Sequence, residues 1–116
     1  MRSFKILAAL AALFTLAGCH SAYISATISN RTSGPLSLVE VDYPSASFGT
    51  QNLAPGQDFH YRFKVLGSGP TSVLWTDAAR QDHKSPGPTF KESDEGALTI
   101  TFETAGPIWN FTGRAR

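Results

Sequence analysis

The chain has 116 residues, with ten Lys and Arg side chains, nine Asp and Glu side chains and a single cysteine. This length suits one domain, and a lone cysteine excludes an intramolecular disulfide. The near balance of charge excludes the basic footprint typical of nucleic-acid-binding proteins. We therefore expect one small domain that folds on an apolar core and has no nucleic-acid partner.

Residues 1–18 have the pattern of an export signal. Arg2 and Lys5 precede an apolar stretch, residues 6–16, which ends at the small pair Ala17 and Gly18. The stretch is too short to span the ~30 Å hydrocarbon core of a bilayer as a permanent helix. The sequence therefore predicts a signal helix over residues 1–18 that is cleaved from the mature chain.

The cleavage region carries a second, more specific pattern. Leu16-Ala17-Gly18-Cys19 resembles the lipobox of bacterial lipoproteins. The resemblance implies that Cys19 becomes the first residue and bears acyl chains that incorporate palmitate and anchor the protein. In enterobacterial lipoproteins an aspartate after the cysteine favours the inner membrane. His20 in that place implies the outer membrane, facing the periplasm or the cell surface. The alternative is an ordinary secretory signal that contains a cysteine.

From Ala22 onward, short alternating segments separated by turn residues predict about seven β-strands. Five of the seven prolines lie between these segments, and Pro86 and Pro88 fall within 84–91, which we therefore expect to be an edge strand. The predicted strands are 22–30, 36–43, 45–51, 58–65, 71–77, 84–91 and 97–103. We expect a lipidated tether over 19–22, the domain over 23–112 and a tail over 113–116.

The alternation also predicts which side chains face the core. Phe59, Tyr61, Phe63 and Val65 alternate with His60, Arg62 and Lys64, so residues 58–65 have an aromatic inner face and a charged outer face. Residues 36–43 change phase near Leu38, which predicts a bulge or a change of sheet. The remaining inner-face predictions are Ile24, Ala26, Ile28, Val39, Val41, Tyr43, Phe48, Val73, Trp75, Phe90, Leu98, Ile100 and Phe102.

This spacing of strands predicts an all-β fold, a single antiparallel β-sandwich of immunoglobulin-like type. Residues 28–65 contain an Asn-x-x-Ser-Gly turn, a Val-x-Val-x-Tyr strand and a Leu-x-Pro-Gly loop. This third of the chain resembles immunoglobulin-like modules of the bacterial envelope. It lacks the cysteine pair of antibody domains.

No catalytic, metal or cofactor motif is present. His20, His60 and His83 form no metal-binding pair, and the carboxylates between Asp77 and Glu95 match no calcium loop. A Gly-x-Ser-x-Gly nucleophile elbow is missing as well. We expect no enzyme activity, no bound metal and no cofactor.

Two groups of side chains are candidates for partner binding. The first is the outward stripe His60, Arg62 and Lys64 on the predicted fourth strand. The second is the C-terminal segment with Trp109, Phe111, Arg114 and Arg116, for which two interpretations stay open. Trp109 and Phe111 either complete the core as a final edge strand, which we favour, or belong to a docking element with the two arginines.

The combined prediction is a membrane-anchored, non-enzymatic envelope lipoprotein that acts as a structural or protein-binding module. Its expected partners are the membrane, through the lipid on Cys19, and a protein. One alternative is an accessory subunit of a secretion or surface-assembly machine. Another is a periplasmic inhibitor or ligand-binding protein, which would need a pocket or a long insertion loop.

Overall fold

A computed structural model describes residues 21–113 of the chain; the predicted signal helix, Cys19, Arg114 and Arg116 lie outside this range. The described residues form eight β-strands and no helix. The strands are β1 (Ile24–Asn30), β2 (Leu36–Tyr43), β3 (Ala46–Leu53), β4 (Asp58–Phe63), β5 (Gly69–Thr76), β6 (Asp82–Phe90), β7 (Gly96–Glu103) and β8 (Gly106–Gly113).

The strands form two sheets of four, with the orders β4-β1-β7-β8 and β3-β2-β5-β6. Three hairpins, β2–β3, β5–β6 and β7–β8, stay within a sheet, whereas the other connections cross from one sheet to the other. Both sheets turn an apolar face toward a shared core. The prediction of an all-β sandwich is therefore confirmed.

The eighth strand, β8, is the final edge strand favoured for Trp109 and Phe111. One feature differs from the predicted antiparallel arrangement, since β1 pairs with β7 in parallel, from Ile24 opposite Gly96 to Asn30 opposite Phe102. The prediction of a wholly antiparallel sandwich is wrong for this pair, because alternation shows which face is buried and not the direction of the neighbour. Strand β1 pairs with β4 and β7 and not with β2, which follows it in the chain.

The core follows the predicted alternation in the central strands. Every second residue of β1 and β7 is fully or almost fully buried. This burial removes branched aliphatic and aromatic surface from water, which is the main favourable contribution to folding. The predicted core residues that are buried are Ile24, Ala26, Ile28, Val39, Val41, Phe48, Phe63, Val65, Val73, Phe90, Leu98, Ile100 and Phe102.

Edge strands follow the alternation less closely. Tyr61 was expected inside, but 43% of its surface is exposed, because β4 is the edge strand of its sheet and has no neighbour on one side. Its ring still stacks on Phe48, with centroids 4.5 Å apart. Trp75, expected inside, is half-buried against the core.

The phase change in β2 has a different origin from the predicted bulge. Leu36 is buried and Leu38 is exposed, yet the β2–β3 register is continuous from Leu36 opposite Leu53 to Tyr43 opposite Ala46. The irregularity lies on the partner strand, where Asn52 adopts a left-handed φ of 55°. This conformation, which asparagine tolerates, brings Leu53 into the core, where its partner Leu36 is also buried.

Strand β8 closes one side of the sandwich. Trp109 and Phe111 lie on its inner face, opposite the buried Ile100 and Leu98. The Trp109 ring reaches across to β6 and lies directly over Gly87, where a Cβ atom would come within 2.5 Å of Trp109 Cη2. This placement agrees with the interpretation of Trp109 as part of the core.

Two connections clarify the turn predictions. The Pro-Gly turn is confirmed, since Gly56 has φ of 80° and Gln57 N donates to Ala54 O at 3.0 Å, as a type II turn requires. The connection between the predicted strands 71–77 and 84–91 differs in its end, because β6 already begins at Asp82.

Candidate functional site

Three loops meet at one end of the sandwich and enclose an open pocket of about 390 Å³. They are the β1–β2 loop (31–35), the β5–β6 hairpin loop (77–81) and the β7–β8 hairpin loop (104–105). We call this end the loop end. The pocket has an apolar floor and a rim of small and polar residues; its main lining residues are Thr32, Leu36, Trp75, Asp77, His83 and Glu103.

A buried asparagine holds the first of these loops. Asn30 is fully buried, and its Nδ2 donates to Gly34 O at 3.0 Å and to Leu53 O at 2.9 Å. Its Oδ1 accepts hydrogen bonds from Thr32 N and Thr32 Oγ1. Because each polar atom of the side chain has a partner, Asn30 fixes the rim of the pocket without the cost of an unsatisfied buried group.

A carboxylate organises the second loop. Asp77 Oδ1 accepts from the backbone N–H groups of Ala79 and Gln81, at 2.9 and 3.0 Å. Asp77 Oδ2 lies 2.8 Å from His83 Nε2. The hydrogen bond from His83, followed by that from Gln81, lowers the pKa of Asp77 below its usual value, so this carboxylate stays ionised in mildly acidic solution.

The histidine also contacts the pocket floor. The His83 ring stacks on Trp75, with centroids 5.0 Å apart and planes 19° from parallel. Phe102 of β7, in the opposite sheet, makes an edge-on contact with the Trp75 indole, with ring centroids 5.2 Å apart. These contacts link both sheets beneath the pocket and hold Trp75 in one orientation.

The lining contains two carboxylates, Asp77 and Glu103, and no Lys or Arg. The pocket can therefore accept an apolar group at its floor and hydrogen-bond donors or a positive charge at its rim. Within residues 21–113, no three His, Cys, Asp or Glu side chains come together in a way that could hold a metal ion.

The outward stripe predicted from the sequence lies elsewhere, on the outer face of β4. His60, Arg62 and Lys64 are all exposed, and His60 Nδ1 lies 3.1 Å from Thr27 Oγ1. The cationic groups of Arg62 and Lys64 lie 4.0 and 5.0 Å from the ring centroid of Tyr23. The stripe is thus separate from the pocket, and two of its members contact the N-terminal segment.

The second predicted group is divided. Trp109 and Phe111 are half-buried on the inner face of β8, whereas Arg114 and Arg116 lie beyond the described residues, as does Cys19. The grouping of Trp75, Asp77 and His83 was not predicted from the sequence. A weak signal was present, since an aspartate and a histidine follow a predicted inward tryptophan at a hairpin.

No protein-family model matches the chain, and no curated protein matches it. Among solved structures, an NMR structure of a protein from Eubacterium rectale is similar in fold. The match has a TM-score of 0.53 and 13% identity, and it covers 81% of this chain and 90% of that one. A crystal structure of a Bacteroides uniformis ATCC 8492 protein with a suggested role in cell adhesion matches at a TM-score of 0.42 and 10% identity. That match covers 79% of this chain and 49% of the other.

These similarities extend to the fold alone, since the identities are far below the level at which function transfers. In the described range 21–113, no helix has the length and apolar character needed to cross a membrane.

Proposed function

We propose that this protein is a lipid-anchored envelope lipoprotein whose β-sandwich is a non-enzymatic binding module. In this proposal Cys19 carries the acyl chains, and the outer membrane is the site of attachment. The loop end, with its pocket, contacts a protein partner. The observation that carries the proposal is the position of the pocket at the end of the sandwich opposite the start of β1.

Strand direction supports this geometry. β1 begins at Ile24, five residues after Cys19, and ends at Asn30, which holds the rim of the pocket. Seven residues of extended strand span about 23 Å. A lipid on Cys19 would therefore keep one end of the domain near the membrane and direct the pocket away from it.

A binding role suits the chemistry of the pocket. Its rim is formed by loops on a rigid two-sheet scaffold, the usual arrangement of recognition surfaces. The pocket volume of about 390 Å³ lies at the lower end of the range for ligand sites. This volume also favours a second candidate function, a periplasmic protein that binds a small ligand. An accessory role in a secretion or surface-assembly machine is a special case of the first proposal.

The lipid anchor is tested by replacing Cys19 with serine. Labelled palmitate should mark the wild type alone, and the variant should move from the membrane fraction to the soluble fraction. Labelling that persists in Cys19→Ser would refute the anchor.

The binding end is tested by photo-crosslinking in intact cells. A photoreactive residue in place of exposed Ala79, at the pocket rim, should form a discrete protein adduct. The same residue in place of exposed Ser47, on β3, is the matched control and should not. The adduct should disappear in Trp75→Ala if the pocket is used. Equal crosslinking from both positions would refute the assignment, and no adduct at Ala79 would favour the small-ligand alternative.

A further inference from the structure

The N-terminal segment is fixed to the sandwich before β1 begins. The Arg62 guanidinium carbon lies 4.0 Å from the centroid of the Tyr23 ring and Lys64 Nζ lies 5.0 Å from it. Cations at this distance from an aromatic ring are attracted by its quadrupole. Tyr23 is therefore held at the edge of the sheet, beside the end of β4, where Ile24 pairs with Phe63.

This contact leaves a very short tether. Tyr23 lies four residues after Cys19, and an extended chain advances at most about 3.6 Å per residue. The proposed lipid attachment therefore lies within about 14 Å of the Tyr23 backbone. We call this end of the domain, opposite the loop end, the tether end.

An apolar side chain projects from the same end. Leu66, in the connection between β4 and β5, has 68% of its surface exposed, the largest value among the exposed large hydrophobic residues described. Its backbone N–H donates to Ser45 Oγ in the β2–β3 turn at 3.4 Å. The preceding Val65 O accepts from Ser93 N at 2.9 Å. The connection is thus held in place by two neighbouring loops, with Leu66 pointing outward.

We infer that the tether end, through Tyr23, Arg62, Lys64 and Leu66, rests on the phospholipid headgroup layer and orients the domain on the membrane. This inference rests on the proposed lipid attachment at Cys19. Tyrosine is favoured at the boundary between hydrocarbon and water, and an exposed leucine gains free energy by entering it. The two basic side chains favour anionic headgroups, each by about five-fold in partitioning when close to the surface.

The short tether favours the membrane surface over a folded protein as the contact of the tether end. A folded partner of 100 residues has a radius of gyration of about 13 Å, so its diameter exceeds the ~14 Å that the tether can span. Such a partner does not fit between the bilayer and the tether end. The β6–β7 connection at the same end adds one basic residue, Lys91, and three acidic residues, Glu92, Asp94 and Glu95. These carboxylates offset the positive charge of the basic side chains, so Leu66 and Tyr23 remain necessary for contact.

The experiment uses the single cysteine of the chain. Acylation of Cys19 leaves no free thiol, so Leu66→Cys introduces one labelling site at the tether end. Ala79→Cys introduces the matched site at the loop end. Each lipidated variant is labelled with the same environment-sensitive fluorophore and reconstituted in vesicles of phosphatidylethanolamine and phosphatidylglycerol, with or without a headgroup-linked quencher.

We expect the label at residue 66 to shift its emission to the blue and to be quenched several-fold more strongly than the label at residue 79. Adding Arg62→Glu and Lys64→Glu should reduce this quenching. The control Lys84→Glu changes an exposed lysine on β6 and should leave the quenching unchanged. Equal quenching at residues 66 and 79 would overturn the inference. If wild-type Cys19 itself takes up the label and the protein leaves the vesicles, the anchor fails, and this inference fails with it.

Discussion

Replacing Gly87 with alanine tests how closely β8 seals the side of the sandwich. A Cβ atom at this position would lie 2.5 Å from Trp109 Cη2, 2.6 Å from Trp109 Cζ2 and 2.6 Å from Thr71 Oγ1. Carbon atoms in contact normally lie about 3.5–4.0 Å apart, so the indole must move by about 1 Å. Thr71 is buried and its hydroxyl donates to Pro88 O. This hydrogen bond restricts how far Thr71 can move away from the added Cβ atom.

Overpacking of this kind costs about 1–3 kcal/mol. For a domain of this size each kcal/mol lowers the Tm by about 4–8 °C. Gly67→Ala is the matched control, because a Cβ atom there meets nothing within 4 Å. Both variants lose the same backbone freedom in the unfolded chain, so the difference between them reports the packing around Gly87, against Trp109 and Thr71.

Urea unfolding of the mature chain with Cys19→Ser, monitored by circular dichroism, measures this difference. In a Trp109→Phe background the penalty of Gly87→Ala should fall, since a smaller ring no longer reaches the added methyl group. This double-mutant cycle reports the contact directly. If Gly87→Ala and Gly67→Ala unfold within 0.5 kcal/mol of each other, roughly the limit for neutral surface changes, Trp109 is not seated on Gly87. The docking interpretation of Trp109 and Phe111 would then be preferred.

Three further predictions concern the core and the pocket. Phe63, 3% exposed and 5.2 Å from Phe48 by ring centroid, should cost about 3–5 kcal/mol when changed to alanine; a chemical midpoint close to that of the wild type would contradict its burial. Asn30→Ala leaves the carbonyls of Gly34 and Leu53 without their donor and should cost about 2–5 kcal/mol, whereas the exposed control Asn110→Ala should change the unfolding free energy by less than about 0.5 kcal/mol. The lowered pKa of Asp77 stabilises the fold above the unfolded pKa of about 3.9, and this contribution is lost as the pH falls through the lower folded pKa. In Asp77→Asn the free energy of unfolding should therefore fall less steeply with decreasing pH than in the wild type. An equally steep fall in both proteins would show that Asp77 does not contribute.

The sequence specified the strands and the buried faces well, because period-two alternation directly reflects burial. In β4, a shift of register by one residue would bury His60, Arg62 and Lys64. Because that burial is costly, the sequence permits a single register there. The same pattern could not show that Tyr61 would be exposed. That exposure depends on β4 having no neighbour on one side, which is a property of the sheet and not of the strand.

Pairing partners and the pocket were harder to predict for a related reason. The parallel pairing of Ile24 with Gly96 joins residues far apart in the chain, and no local pattern encodes it. The pocket needs loops from three separate connections, β1–β2, β5–β6 and β7–β8. The predicted strands 71–77 and 84–91 left His83 in the connection between them, whereas β6 begins at Asp82 and pairs His83 with Trp75.

The central position of β1 has a consequence for the order of folding. β1 precedes the other seven described strands in the chain, yet its neighbours are β4 and β7. The hairpins β2–β3, β5–β6 and β7–β8 can form from local contacts, but β1 gains its second neighbour only when residues 96–102 are available. Long-range pairing of this kind slows folding. Synthesis from the N-terminus therefore leaves this sheet incomplete until residues 96–102 have emerged, and the proposed export would require a chain that is still unfolded at that stage.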